Sequence, residues 1–136
     1  MERLIKDIEL ANPIVVNGKP KLTHIRLEVD HDKGGVSWGT GEMHKTGIKV
    51  NVTPIEVSYT EYNGVQHKLI GQTFDGKTEH QGFFVFCVPC GRKSPKKMEK
   101  VAEAVFPIAD KIVENFLSGE YSTCADLIVS VTKNIK

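Results

Sequence analysis

The sequence lacks the features that mark several large classes of protein. No apolar run approaches the ~20 residues of a membrane-spanning helix. The N-terminus, Met1-Glu2-Arg3-Leu4-Ile5-Lys6-Asp7, has no continuous apolar stretch of the kind a secretory signal requires. These absences lead us to expect a cytoplasmic protein with no membrane partner. Cysteine is scarce, with three in 136 residues, which fits a reducing compartment better than a disulfide scaffold. An excess of one charge is missing too: 18 Lys and Arg face 17 Asp and Glu, a net charge of +1. That argues against a protein that coats nucleic acid non-specifically, although a local basic patch stays open. There is no internal repeat, low-complexity segment or linker. No serine sits in a nucleophile elbow. Asp30, His31, Asp32, His44, His67 and His80 are scattered over strand faces and loops, so a non-enzymatic protein without a cofactor is expected.

What remains is ordinary for a globular chain, 40% hydrophobic and 26% charged. A chain of this size reads as one domain, residues 1–136, and can bury about two-thirds of its unfolded surface without metal or disulfides. Its first part, residues 1–88, reads as antiparallel β. Leu4 to Leu10 fits a strand, or nearly as well a short helix, and Asn12-Pro13 breaks it. Ile14-Val15-Val16 leads into Asn17-Gly18, a strong hairpin signal. Lys21 to Asp30 alternates, with Ile25, Leu27 and Val29 on one face and His24, Arg26 and Glu28 on the other. That is a strand with one wet face. The glycine-rich loop 33–47, which carries the single tryptophan, Trp38, reads either as a bulged hairpin or as a ligand-contacting loop. Apolar residues then fall on even positions (Ile48, Val50, Val52) and afterwards on odd ones (Ile55, Val57, Tyr59). A β-bulge at Thr53-Pro54 would keep both sets on one side.

Asn63-Gly64 closes a second hairpin as a type I′ turn, pairing Tyr62 with Val65 and Val57 with Ile70. A further turn at Gly76-Lys77 would pair Ile70 with Phe83, because cross-strand apolar pairs add ~0.2–1 kcal/mol each. The strand Phe83–Val88 is apolar on both faces, so it should be central and covered on both sides. If the helix covers one face, a folded-over sheet or a second subunit covers the other. This is the argument for a homo-oligomer.

Ser94-Pro95 opens the one strongly periodic helix, residues 95–118, with Ser as N-cap and Pro in the first turn. Met98, Val101, Ala102, Val105, Ala109, Ile112, Val113 and Phe116 share a face. Pro107 interrupts it, and the stripe continues in phase, so we expect a kink. Residues 122–134 suit a helix slightly better than a strand. The expected fold is α+β: an antiparallel sheet of about five or six strands against a C-terminal helix, with a further short helix.

Two constellations carry possible chemistry. Cys87-x-x-Cys90 has the spacing of a zinc half-site, but no second half follows; a mixed site with Cys124 is contrived. The same pair fits a redox motif, and equally two reduced thiols at a strand end. The second constellation is the turn 89–94 and the helix start. Gly91, Arg92, Lys93, Ser94, Lys96, Lys97 and Lys100 cluster where a helix N-terminus offers free N–H groups. The leading expectation is a small binding module that holds an anion there, a nucleotide or nucleic-acid phosphate. The alternatives are a protein–protein contact or inhibitor module acting through the sheet's second face, and a zinc or redox protein using Cys87 and Cys90.

Overall fold

The structure, a computed structural model, describes residues 3–16, 19–32, 35–36, 43–44, 46–72, 82–90 and 94–135. The strands are β1 (Leu4–Val16), β2 (Lys19–Asp32), β3 (Gly35–Val36), β4 (Met43–His44), β5 (Gly47–Tyr62), β6 (Val65–Gln72) and β7 (Phe83–Pro89). The helices are α1 (Pro95–Val105), α2 (Ala109–Leu117) and α3 (Tyr121–Thr132). The class is α+β, as the residue pattern implies. Five strands form one antiparallel sheet in the order β1-β2-β5-β6, with β7 also on β5, while β3 and β4 make a separate two-stranded pair.

The alternation in β2 explains the sheet's sidedness. Ile25, Leu27 and Val29 are fully buried, and they pair with Pro54, Val52 and Val50 of β5. The same side receives Val85 and Val88 of β7, Met98, Val101 and Val105 of α1, Ile112 and Phe116 of α2, and Ile128 of α3. Each such side chain contributes ~1.5–3 kcal/mol through burial, so this single apolar layer fixes the helices on one face of the sheet. Pro107 lies in a 3₁₀ turn, Phe106–Ile108, between α1 and α2. Buried residues continue on both sides of it, so the 3₁₀ turn interrupts the α-helical run while the apolar face carries on. Residues 121–132 are helical. Cys124, Ile128 and Thr132, spaced four apart, supply its buried face, and tertiary burial outweighs the strand propensity of the Leu127–Val131 cluster.

β5 organises the sheet. Along one edge, Gly47 to Ile55 pair with β2. On the opposite edge two strands follow each other: β7 against Gly47–Val52 and β6 against Ile55–Tyr62. The hairpin expected between β6 and β7 is therefore replaced by a return to β5, with Phe83 opposite Val52 instead of Ile70. That register sets Val85 over the helix-covered core, where it is buried, a gain no pairing with the exposed β6 would match.

Three other expectations change. β7 is not central: among the described residues β5 is its one strand partner, and Phe84 is 57% exposed. The register shift between Ile48 and Lys49 leaves Cys87 as the additional residue of a bulge. At Thr53-Pro54 the ladder with β2 runs through without a bulge, and Pro54 and Ile55 are both buried. The phase change instead marks where β5 leaves the helix-covered body, so Val57 and Tyr59 fall on the side opposite Val50 and Val52. Finally, β1 runs through Asn12-Pro13, which causes a register shift instead of a break.

Candidate functional site

Three regions have chemical potential, and the structure treats them differently. At the start of α1, Ser94 has extended backbone angles, and its hydroxyl oxygen accepts the Lys97 N–H at 3.3 Å. The Met98 N–H donates to the Ser94 carbonyl. Pro95 has no N–H, so of residues 95–97 only Lys96 retains a backbone donor for a ligand. Lys96 and Lys100 are exposed and Lys97 half-buried, and the first turn carries no acid. Gly91, Arg92 and Lys93, and also Trp38, lie outside the described residues.

The cysteines are shielded. Cys87 and Cys90 are half-buried and Cys124 fully buried. Burial pushes the Cys87 thiol up to about 11, with the nearby Thr132 hydroxyl and the Val50 backbone offsetting part of it. Burial, with Glu120 nearby, does the same to Cys124, whose Sγ–H points to the Ile112 carbonyl at 3.2 Å. Thiols held protonated are poor nucleophiles and poor zinc ligands. Among the described residues no three His, Cys, Asp or Glu side chains come together as a metal site. His31 lies on the core side of β2: both its ring nitrogens are buried and have no hydrogen-bond partner among the described residues.

The third region is the part of β5 and β6 beyond the sheet. Pairing with β2 ends at Ile55 and with β7 at Val52. The β5–β6 register continues unbroken to Tyr62↔Val65. Asn63 and Gly64 both have positive φ, 51° and 75°, as a type I′ turn requires. The result is a two-stranded arm in which every residue from Tyr59 to Ile70 is exposed. Of nine large hydrophobic residues exposed in the described chain, five lie here: Tyr59 (60%), Tyr62 (69%), Val65 (56%), Leu69 (49%) and Ile70 (45%). Direct cross-strand neighbours share a face, so Val57, Ile70 and Tyr59 lie on one side and Tyr62, Val65 and Leu69 on the other.

Beside the arm, the sheet face away from the helices is polar and internally paired. Arg26 clasps Asp7 through two hydrogen bonds, 2.8 and 3.0 Å, which lower the Asp7 pKa and raise that of Arg26. Glu28 faces Arg3 at 3.5 Å and accepts from Asn51. Lys49 meets Asp32 at 3.8 Å and lies over the Phe84 ring.

Sequence reasoning placed the turn and register of this arm but not its projection. A signal was present: β5 carries more residues than β2 can pair, and the Asn63-Gly64 hairpin is apolar on both faces. The fold and this surface define an α+β protein with a projecting β-ribbon. No protein-family model matches the chain, and no curated protein or solved structure matches it significantly.

Proposed function

We propose that this chain is a non-enzymatic protein-binding module whose contact surface is the β5–β6 arm. The observation that carries the reading is the concentration of exposed large apolar residues on a ribbon with no layer behind it among the described residues. An isolated two-stranded ribbon is marginal in water. Contiguous apolar patches on folded chains mark contact sites far more than isolated exposed residues do, and tyrosine is enriched where such contacts are made. The paired charges of the neighbouring sheet face would form a polar rim.

A second reading keeps the anion site before α1. It is favoured by three lysines, Lys96, Lys97 and Lys100, in a helix start without an acid. Capping by Ser94 weakens it by removing the Lys97 donor. One experiment separates the two. Proteins retained by the full chain are compared with those retained by Tyr59→Ser/Tyr62→Ser and by Lys96→Glu/Lys97→Glu, with a differently tagged second copy of the chain included. Retention lost with the tyrosine pair and kept with the lysine pair supports the arm. The opposite pattern, or equal retention by all three, overturns it.

A further inference from the structure

We infer that the partner of the arm is a second copy of this chain, joined through the edge of β6 away from β5 about a two-fold axis at His67. This rests on the reading of the arm as a contact surface. The edges of the sheet are not equal. β1 carries devices that discourage edge pairing: Pro13 within the strand, a register shift between Glu9 and Ile14, and Lys6, which faces the helices and donates to the Phe106 carbonyl. β7 ends at Pro89 and contains the Cys87 bulge. β6 has no proline and no register shift against β5, and β5 is its one partner among the described residues.

Of the registers centred on His67, Lys68 and Leu69, near the middle of β6, one is self-complementary. The type I′ turn makes Tyr62 and Val65 a hydrogen-bonded pair. The N–H and C=O groups of Val65, His67 and Leu69 therefore point to β5, and those of Gln66 and Lys68 point away from it. A two-fold axis normal to the ribbon keeps every side chain on its own face. One residue must then meet its own copy, with residues equally distant from it meeting each other. Centring on Lys68 opposes two ammonium groups. Centring on Leu69 sets Lys68 against Ile70. Centring on His67 pairs Val65 with Leu69 twice and Gln66 with Lys68 twice, apolar with apolar and polar with polar. Tyr62 extends the apolar row on the same face through its pairing with Val65. The four-stranded ribbon so formed satisfies the edge donors of both arms.

The register is tested by single-cysteine variants of the full chain under mild oxidation, read on non-reducing gels against the wild type with its own three cysteines. A disulfide needs Cα atoms within ~7 Å, so His67→Cys should form covalent dimer about tenfold more readily than Lys68→Cys or Leu69→Cys. Light scattering supplies the second measurement. The wild type should show twice the chain mass, and Lys68→Pro, which removes an N–H that β5 does not use, should show the single mass, with the wild-type thermal midpoint once both are diluted to submicromolar concentration and the wild type too is dissociated. Preferential cross-linking at Lys68→Cys or Leu69→Cys overturns the register, and a single mass for the wild type overturns the second copy. In that last case retention of another protein that Tyr59→Ser/Tyr62→Ser abolishes leaves the arm as a contact surface, whereas its absence removes both readings.

Discussion

The helix-covered body and the β5–β6 arm are built from the same strand, yet they satisfy different constraints. In the body, β5 buries Ile48, Val50 and Val52 under three helices, and on the far face of the sheet charges meet as Arg3–Glu28, Arg26–Asp7 and Lys49–Asp32. In the arm, the same β5 exposes Tyr59 and Tyr62 on opposite faces, beside Val65, Leu69 and Ile70 of β6. Alternation alone does not decide burial: an apolar residue every second position is a core signal only where another layer arrives. The body is where stability resides, and the arm spends apolar residues without internal return, which is why we place the function there.

The largest expected effect breaks the comparison from the body side. Phe116 is fully buried, and its ring centre lies 6.1 Å from that of Phe83 and 5.2 Å from that of Tyr121. Phe116→Ala should cost ~3–5 kcal/mol, measured by urea unfolding. A cost under ~1 kcal/mol would mean that the helices are not held by this layer.

An intermediate effect probes the polar face. Arg26 holds the Asp7 carboxyl below its ordinary value of 3.8, so the unfolded chain takes up the proton first as pH falls. The stabilisation is complete at neutral pH, begins to fade near 3.8, and is lost as pH drops through the lower folded value. Asp7→Asn should cost ~1–2 kcal/mol at pH 7, and the difference from wild type should vanish in strong acid. A difference independent of pH would show that the substitution acts through packing.

The smallest effect belongs to the arm. Tyr62→Ser/Leu69→Ser, studied at submicromolar concentration to keep the chain dissociated, should change unfolding free energy by no more than ~0.5 kcal/mol. A loss comparable with that of Phe116→Ala would mean that the arm is part of the cooperative core, and the contrast between the two regions would collapse.

The sequence by itself determined the fold class, the Ser94 cap, the in-phase apolar stripe across Pro107, and the Asn63-Gly64 turn with its register. Each of these depends on residues close in the chain, through side-chain period, capping geometry and positive φ. Only the tertiary structure decided that β7 returns to β5, that β7 is an edge strand among the described residues, and that Val57 and Tyr59 face away from the helices. These are choices among partners distant in the chain. They are settled by which pairing places Val85 and Val88 under the helices and where β2 stops covering β5, and no local pattern contains either quantity. The same holds for Cys87 and Cys90. Their spacing is legible in the chain, but the thiol's reluctance to ionise at Cys87 comes from burial against α3, which only the assembled layers create.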